Sequence, residues 1–128
     1  MRALLDTHAL IWWLANDTRL SQRARDVIAQ PETRIHVSAA SAWEIATKLR
    51  IGKFDLDATR LHDLPALILK TGFVAMPISI THAHRAGHLA NDHRDPFDRM
   101  LAAQALVEDM PLITLDSVFK SFGVATIW

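Results

Sequence analysis

A chain of 128 residues is long enough for one hydrophobic core and too short for two, so a single domain over residues 1–128 is expected. Half the residues are hydrophobic and 22% are charged, and Gly and Pro are too few for a disordered chain. The 14 basic and 14 acidic residues cancel, which excludes a global basic field, so any polyanion must be held locally.

In chain order, Leu4-Leu5 reads as a first strand that ends at Asp6. The stretch Ala9 to Ala15 is apolar all round. As a helix it projects Trp12 and Trp13 about 100° apart, so one core takes both only if another layer covers the second face. Ser21 to Ala29 reads as a helix and Ile35-His36-Val37 as a second strand. A third helix follows and carries Glu44, with either Ser38 or Ser41 as its cap. Leu61 to Lys70 is helical, Phe73 to Met76 is a third strand, and Ser79 to Ala90 is a weaker helix. Asp95 as cap and Pro96 in the first turn open a helix over Phe97 to Val107. Leu112-Ile113-Thr114 and Ala125-Thr126-Ile127 are the last strands, and Pro31, Gly52, Gly72, Pro77, Pro111 and Gly123 fall at the joints. Continuous apolar strands alternating with helices predict an α/β fold with a mostly parallel central sheet flanked by helices.

The absence of cysteine excludes a disulfide framework and a thiolate metal site, and fits a reducing cytoplasm. Asp6, Thr7 and His8 interrupt the N-terminal apolar stretch, so no signal peptide is read, and Ala9 to Ala15 is far too short to span a bilayer. A cytoplasmic protein without membrane contact is expected.

The chemistry rests on acids. Asp6 and Asp116 lie at the carboxyl ends of predicted strands, where open α/β sheets bind ligands. Asp98 shares a helix stripe with Leu101, Ala102 and Ala105, so it faces inward, and an inward carboxylate needs a partner. Glu44 joins the same edge if Ser38 is the cap. Hard oxygen donors without nitrogen or sulfur suit Mg²⁺ or Mn²⁺. Each acid also has a plainer reading. Asp6, Asp95 and Asp116 are natural helix caps, Ser41 to Glu44 is a capping-box pattern, and Glu44 with Lys48 is an i, i+4 ion pair. Yet capping needs no carboxylate on the buried stripe at 98 when Asp95 already caps that helix. A metal-free ribonuclease built on His82, His84, His88 and His93 is a weaker alternative. His93, Arg94, Arg99, Lys48, Arg50 and Lys53 are candidate phosphate contacts, with solvated charge as the default for each. Trp12, Trp13 and Trp43 are candidate partner anchors, since tryptophan is enriched at interface hot spots.

Four motifs in order resemble the PIN-domain ribonucleases, specifically the VapC-type toxins of bacterial toxin-antitoxin pairs. They are Asp6-Thr7-His8-Ala9-Leu10-Ile11-Trp12, Ser41-Ala42-Trp43-Glu44-Ile45-Ala46-Thr47-Lys48, the run from His93-Arg94-Asp95-Pro96-Phe97-Asp98-Arg99 to Ala105, and Thr114-Leu115-Asp116. The resemblance covers essentially the whole chain. It implies a PIN-like, Rossmann-like α/β domain and an acidic site on Asp6, Glu44, Asp98 and Asp116, with Asp95 as a supporting acid and Thr7 as a hydrogen-bonding neighbour. In many relatives the last motif has Asn where this chain has Asp116, and Asp where it has Val118. The implied activity is endonucleolytic cleavage of RNA by Mg²⁺- or Mn²⁺-activated water, leaving 5′-phosphate and 3′-hydroxyl ends. The implied partners are a second copy in a homodimer and a small cognate antitoxin whose segment fills the groove around the site. A phosphoryl-transfer enzyme or receiver-type switch would also place acids at strand ends, but Asp6-Thr7-His8 lacks the second acid two residues on of an aspartyl-phosphatase motif. A noncatalytic interaction module would need no acid quartet.

Overall fold

The computed structural model describes residues 1–54 and 61–128. Its elements run β1 (Arg2–Leu5), α1 (Thr7–Leu14), α2 (Gln22–Ala29), β2 (Arg34–Ser38), α3 (Ala39–Arg50), α4 (Leu64–Thr71), β3 (Val74–Met76), α5 (Ile80–His88), α6 (Pro96–Val107), β4 (Leu112–Ile113), α7 (Val118–Ser121) and β5 (Thr126–Ile127). The strands form one sheet in the order β3-β2-β1-β4-β5, and every pairing is parallel.

The pleat of β1 explains the two-sided core. Ala3 and Leu5 face a cluster built with Leu10, Ile11, Trp12, Ala24, Ile28 and Leu64, which places α1, α2 and α4 on one side. Leu4 faces the other way, onto Leu101, Ala102, Ala105 and Phe119 of α6 and α7. Strands covered on both faces read as unbroken apolar runs, and these do.

Caps set the element ends. Ser38, not Ser41, caps α3: its backbone is extended and its Oγ accepts from the Ala40 N–H. Asp63 caps α4, so this helix starts at Leu64 rather than at Leu61, with Pro65 in its first turn. Gly72 ends it in the left-handed conformation at φ 77°, and the Thr71 hydroxyl then takes the Phe73 N–H, which delays β3 to Val74. Helix α5 ends at His88, short of the expected Ala90. The last two strands are only two residues long, although the ladder reaches Thr114, whose N–H donates to the Ile127 carbonyl at 3.1 Å.

A buried polar chain ties the helices together. Ser38 Oγ donates to Gln104 Oε1, and Gln104 Nε2 donates to the Pro77 carbonyl and to His82 Nδ1, each at 3.3 Å. Because His82 Nδ1 also accepts the Ser79 N–H, its proton sits on Nε2 and donates to Glu108 at 2.9 Å. The α3 cap is thereby locked to α5 and α6, which fixes the bearing of the helix that carries Glu44. Among the described residues no helix is long and apolar enough to cross a membrane.

Candidate active site

After β1 the chain turns to β2 and β3 on one side, then crosses to β4 and β5 on the other, so the sheet's switch point lies between β1 and β4. Crevices form outside the carboxyl ends of such strands. Asp6 follows β1 and Asp116 lies just past β4, so the two stand at this crevice by topology alone. Helix α3 brings Glu44 and Lys48, and the first turn of α6 brings Asp95 and Asp98. The result is a cavity of about 210 Å³ lined by Asp6, Thr7, His8, Glu44, Lys48, Asp95, Asp98, Asp116 and Phe119.

Each carboxylate is held. Asp6 Oδ1 accepts the Ala9 N–H at 2.7 Å as the α1 cap, while its Oδ2 accepts from the Thr114 hydroxyl. Thr7 Oγ1 donates to Ser41 Oγ at 3.1 Å and pins α1 to α3. Glu44 is 4% exposed and paired with Lys48. Asp95 caps α6 through the Phe97 and Asp98 N–H groups, and Asp98 Oδ2 lies 2.8 Å from His93 Nε2. Asp116 is exposed, and its Oδ1 accepts the Val118 N–H at 3.0 Å. Two of the pocket acids are therefore also caps: the plain reading of Asp6 and Asp95 holds and does not remove them from the site, whereas the cap position of α7 is Ser117, and Asp116 takes the Val118 N–H from one residue further out.

Burial first, then the Asp98 charge, pushes the Asp6 carboxyl up from 3.8 to about 6, against the pull of Thr114, the Ala9 N–H and His8. Asp98 is also raised, chiefly by burial and then by Asp95 and Glu44, with His93 opposing. Carboxylates that raise one another in a half-closed pocket call for a cation. The donors are all hard oxygens, the set that suits Mg²⁺ or Mn²⁺. As the side chains stand, no three His, Asp or Glu among the described residues are grouped closely enough to hold a metal ion. The pocket fits the ion in donor chemistry and charge.

The model of the PIN domain family matches residues 3–125. The chain belongs to the PIN domain family. Solved structures similar to this PIN domain include the VapBC2 complex of Rickettsia felis bound to a promoter DNA fragment, with TM-score 0.73 and 14% identity over 99% of this chain and 98% of that one. The sarcin-ricin loop cleaving toxin VapC20 of Mycobacterium tuberculosis superposes with TM-score 0.71 at 15% identity, over 96% of each chain. FitAcB of Neisseria gonorrhoeae gives TM-score 0.66 at 18% identity, over 98% of this chain and 96% of that one. At these identities the likeness is one of fold. No match is found among curated protein sequences.

The structure brings together Asp6, Glu44, Asp98, Asp116, Asp95, Thr7 and Lys48 as the sequence pattern suggested. It moves others. Arg99 is not placed to meet substrate: its guanidinium donates to the carbonyls of Ala86, Leu89, Asn91 and His93 at 2.6–3.1 Å, clamping the connection from α5 to α6. One ammonium cannot reach four carbonyls, so Arg99→Lys is expected to cost roughly 2–3 kcal/mol of stability, read as a lower melting temperature. An unshifted melt with weaker RNA binding would return Arg99 to the substrate. His93 is held against Asp98 and packs on Phe122 at 5.9 Å. His82 is buried in its capping box, and His84 and His88 stack on the exposed face of α5 at 4.2 Å, so neither forms an acid–base pair in the pocket.

Trp12 belongs to the core, not to an exposed groove, with Trp128 5.7 Å away and the Arg19 guanidinium over its ring at 5.2 Å. Trp13 is half-buried against Phe73 at 6.2 Å. These are the extra layers that a helix apolar on all sides required. Thr114, which donates to Asp6, and His8, which lines the cavity, are the residues of the site to which the sequence pattern assigns no role. The signal for Thr114 was present in its motif, two residues before Asp116 and at the end of a strand beside β1.

Proposed function

We propose that this PIN domain is a divalent-metal-dependent endoribonuclease and the toxin of a type II toxin-antitoxin pair, acting in the cytoplasm. The observation that carries the reading is that four carboxylates from four separate segments line one cavity at the switch-point crevice. Family membership and the fold shared with VapC20 and the VapBC2 complex support it.

In this reading Asp6, Glu44, Asp98 and Asp116 are the catalytic carboxylates and hold Mg²⁺ or Mn²⁺. Bound there, the ion supplies Lewis acidity toward a phosphodiester and its attacking water. The chain's own groups do the rest. Thr114 and the Ala9 N–H aim the Asp6 carboxylate, and His93 aims Asp98. Lys48, already in the pocket, leaves Glu44 for the RNA phosphate and offsets its charge. Asp95 is a supporting acid that fixes the first turn of α6, so Asp98 enters at a set angle. The products carry 5′-phosphate and 3′-hydroxyl ends. A cognate antitoxin protein covers the groove, and the working form is a homodimer.

Purified protein incubated with labelled RNA tests this. Cleavage is expected with Mg²⁺ or Mn²⁺ and absent in excess chelator, with 5′-phosphate ends. Persistent cutting in chelator that leaves 2′,3′-cyclic phosphates would sink the carboxylate mechanism and move the chemistry to a histidine.

A further inference from the structure

The acid pocket raises a question of affinity. RNA is a polyanion, the chain has no net charge, and acids dominate the pocket lining. Of the cations that the sequence sets beside the acids, Lys48 is paired with Glu44 and Arg99 with four carbonyls, which leaves Arg94, exposed next to Asp95. Aromatic side chains flank the acids as well. Trp43 directly precedes Glu44 on α3 and is 59% exposed, although tryptophan is one of the costliest side chains to leave in water. Phe97 directly precedes Asp98 on α6 and is half-buried. The two rings meet edge to face, 4.7 Å between centroids and 71° between planes, bridging the two helices that carry Glu44 and Asp98.

This geometry fixes the indole while leaving it open. Phe97 holds its position, as an edge-to-face contact does. Its helical neighbours Ala39, Ala46 and Thr47 are too short to cover its face. A single flat ring with low surroundings matches one planar base in area. It falls far short of the roughly 800 Å² per side that a stable protein interface takes.

We propose that Trp43, braced by Phe97, is a stacking platform for a nucleobase of single-stranded RNA next to the scissile phosphate. The proposal rests on the ribonuclease reading above and deepens it: the site takes unpaired RNA and grips it through a base face more than through phosphate charge. Every base has a π-face, so the grip tolerates sequence, and it depends less on salt than a grip by lysines and arginines.

The test is cleavage of a short labelled single-stranded RNA of randomised sequence by the purified protein in Mg²⁺, with KM and kcat separated. Melting temperature and sedimentation are measured on the same samples. Stacking on one aromatic predicts that Trp43→Ala raises KM about 5- to 100-fold. It should hold kcat, melting temperature and oligomeric state, since the ring is exposed and makes no core contact. Trp43→Phe should recover most of the loss, and Trp43→Leu, which keeps apolar bulk without a π-face, should not. Four results overturn the proposal: an unchanged KM in Trp43→Ala, full rescue by leucine, a KM loss that tracks a change from dimer to monomer, or weakened antitoxin binding with RNA binding intact. The last two would give the face to a second copy or to the antitoxin. An inactive wild type would fail the ribonuclease reading itself, whereas an active wild type indifferent to Trp43→Ala fails the platform alone.

Discussion

Asp6→Asn is expected to lower RNA cleavage on the order of 100-fold or more while raising the melting temperature of the metal-free protein at about pH 8. The two effects share a cause. Burial lifts the Asp6 carboxyl from 3.8 to about 6, so the folded chain binds that proton more tightly than the unfolded chain does. A group raised in this way contributes its full stability below the unfolded value of 3.8, and the contribution is lost as pH rises through about 6. Above that the fold carries a buried charge at a cost on the order of 3 kcal/mol. Asparagine keeps the shape and an oxygen for the Ala9 N–H but carries no charge. Its advantage should therefore be largest near pH 8, shrink through about pH 6 and vanish near pH 4. Asp98, raised by burial and by Asp95 and Glu44, pushes the wild type in the same direction.

Divalent metal should reverse the ranking, because binding favours the ionised carboxylates and stabilises only a protein that offers the charge. Melts of both proteins in chelator and in Mn²⁺, across that pH range, together with a cleavage assay, check each arm. Wild-type cleavage by Asp6→Asn would remove Asp6 from the site. A variant that melts below the wild type at high pH in chelator would mean that its hydrogen bonds to Thr114 and Ala9 outweigh the cost of the buried charge.

What could be read from the sequence divides along the range of the interactions. All five strands and the alternation with helices were legible, because period and punctuation are local signals: Gly72 and the Asp95-Pro96 pair each act within a few residues. The inward placement of Asp98 followed from helical spacing to Leu101, Ala102 and Ala105, all of which are buried. The α3 cap could not be chosen from sequence, since Ser38 and Ser41 offer the same hydroxyl. Gln104, 66 residues from Ser38, accepts a hydrogen bond from the Ser38 hydroxyl and holds it at the cap. The partners of Arg99 are hidden from the sequence for a similar reason. Its position beside Asp98 suggested a phosphate contact, but its four carbonyl partners assemble only when the chain from Ala86 to His93 folds back over α6. Thr114 reaches Asp6 across 108 residues, through the β1–β4 pairing, so the motif Thr114-Leu115-Asp116 marks it but only the strand order gives it Asp6 as a partner. Element type was thus carried by neighbours in sequence, and the second layer of the site by neighbours in space.

Trp12→Ala is expected to cost roughly 3–5 kcal/mol of folding stability, a fall of roughly 10–20 °C in melting temperature for a chain of this size. Trp12 is 9% exposed and sits among the buried apolar residues on the α1 side of the sheet. Trp128 meets it edge-on at 5.7 Å, His8 lies 5.6 Å away on the preceding turn, and the Arg19 guanidinium covers it at 5.2 Å. Truncation to Ala removes the contacts of all three and opens a void that α1, capped by Asp6 and pinned to α3 through Thr7 and Ser41, cannot collapse to fill. Because α1 carries His8 and follows Asp6 directly, the same void should loosen the pocket, so cleavage measured well below the melting point should also fall. Trp43→Ala is the internal control, a tryptophan of equal size whose loss leaves the melt in place. Thermal melts of the two variants side by side separate core from surface. If Trp12→Ala melts with the wild type and instead loses affinity for the antitoxin, then α1 presents Trp12 to a partner, and the packing of Trp128 and Arg19 over it is a lid rather than part of the core.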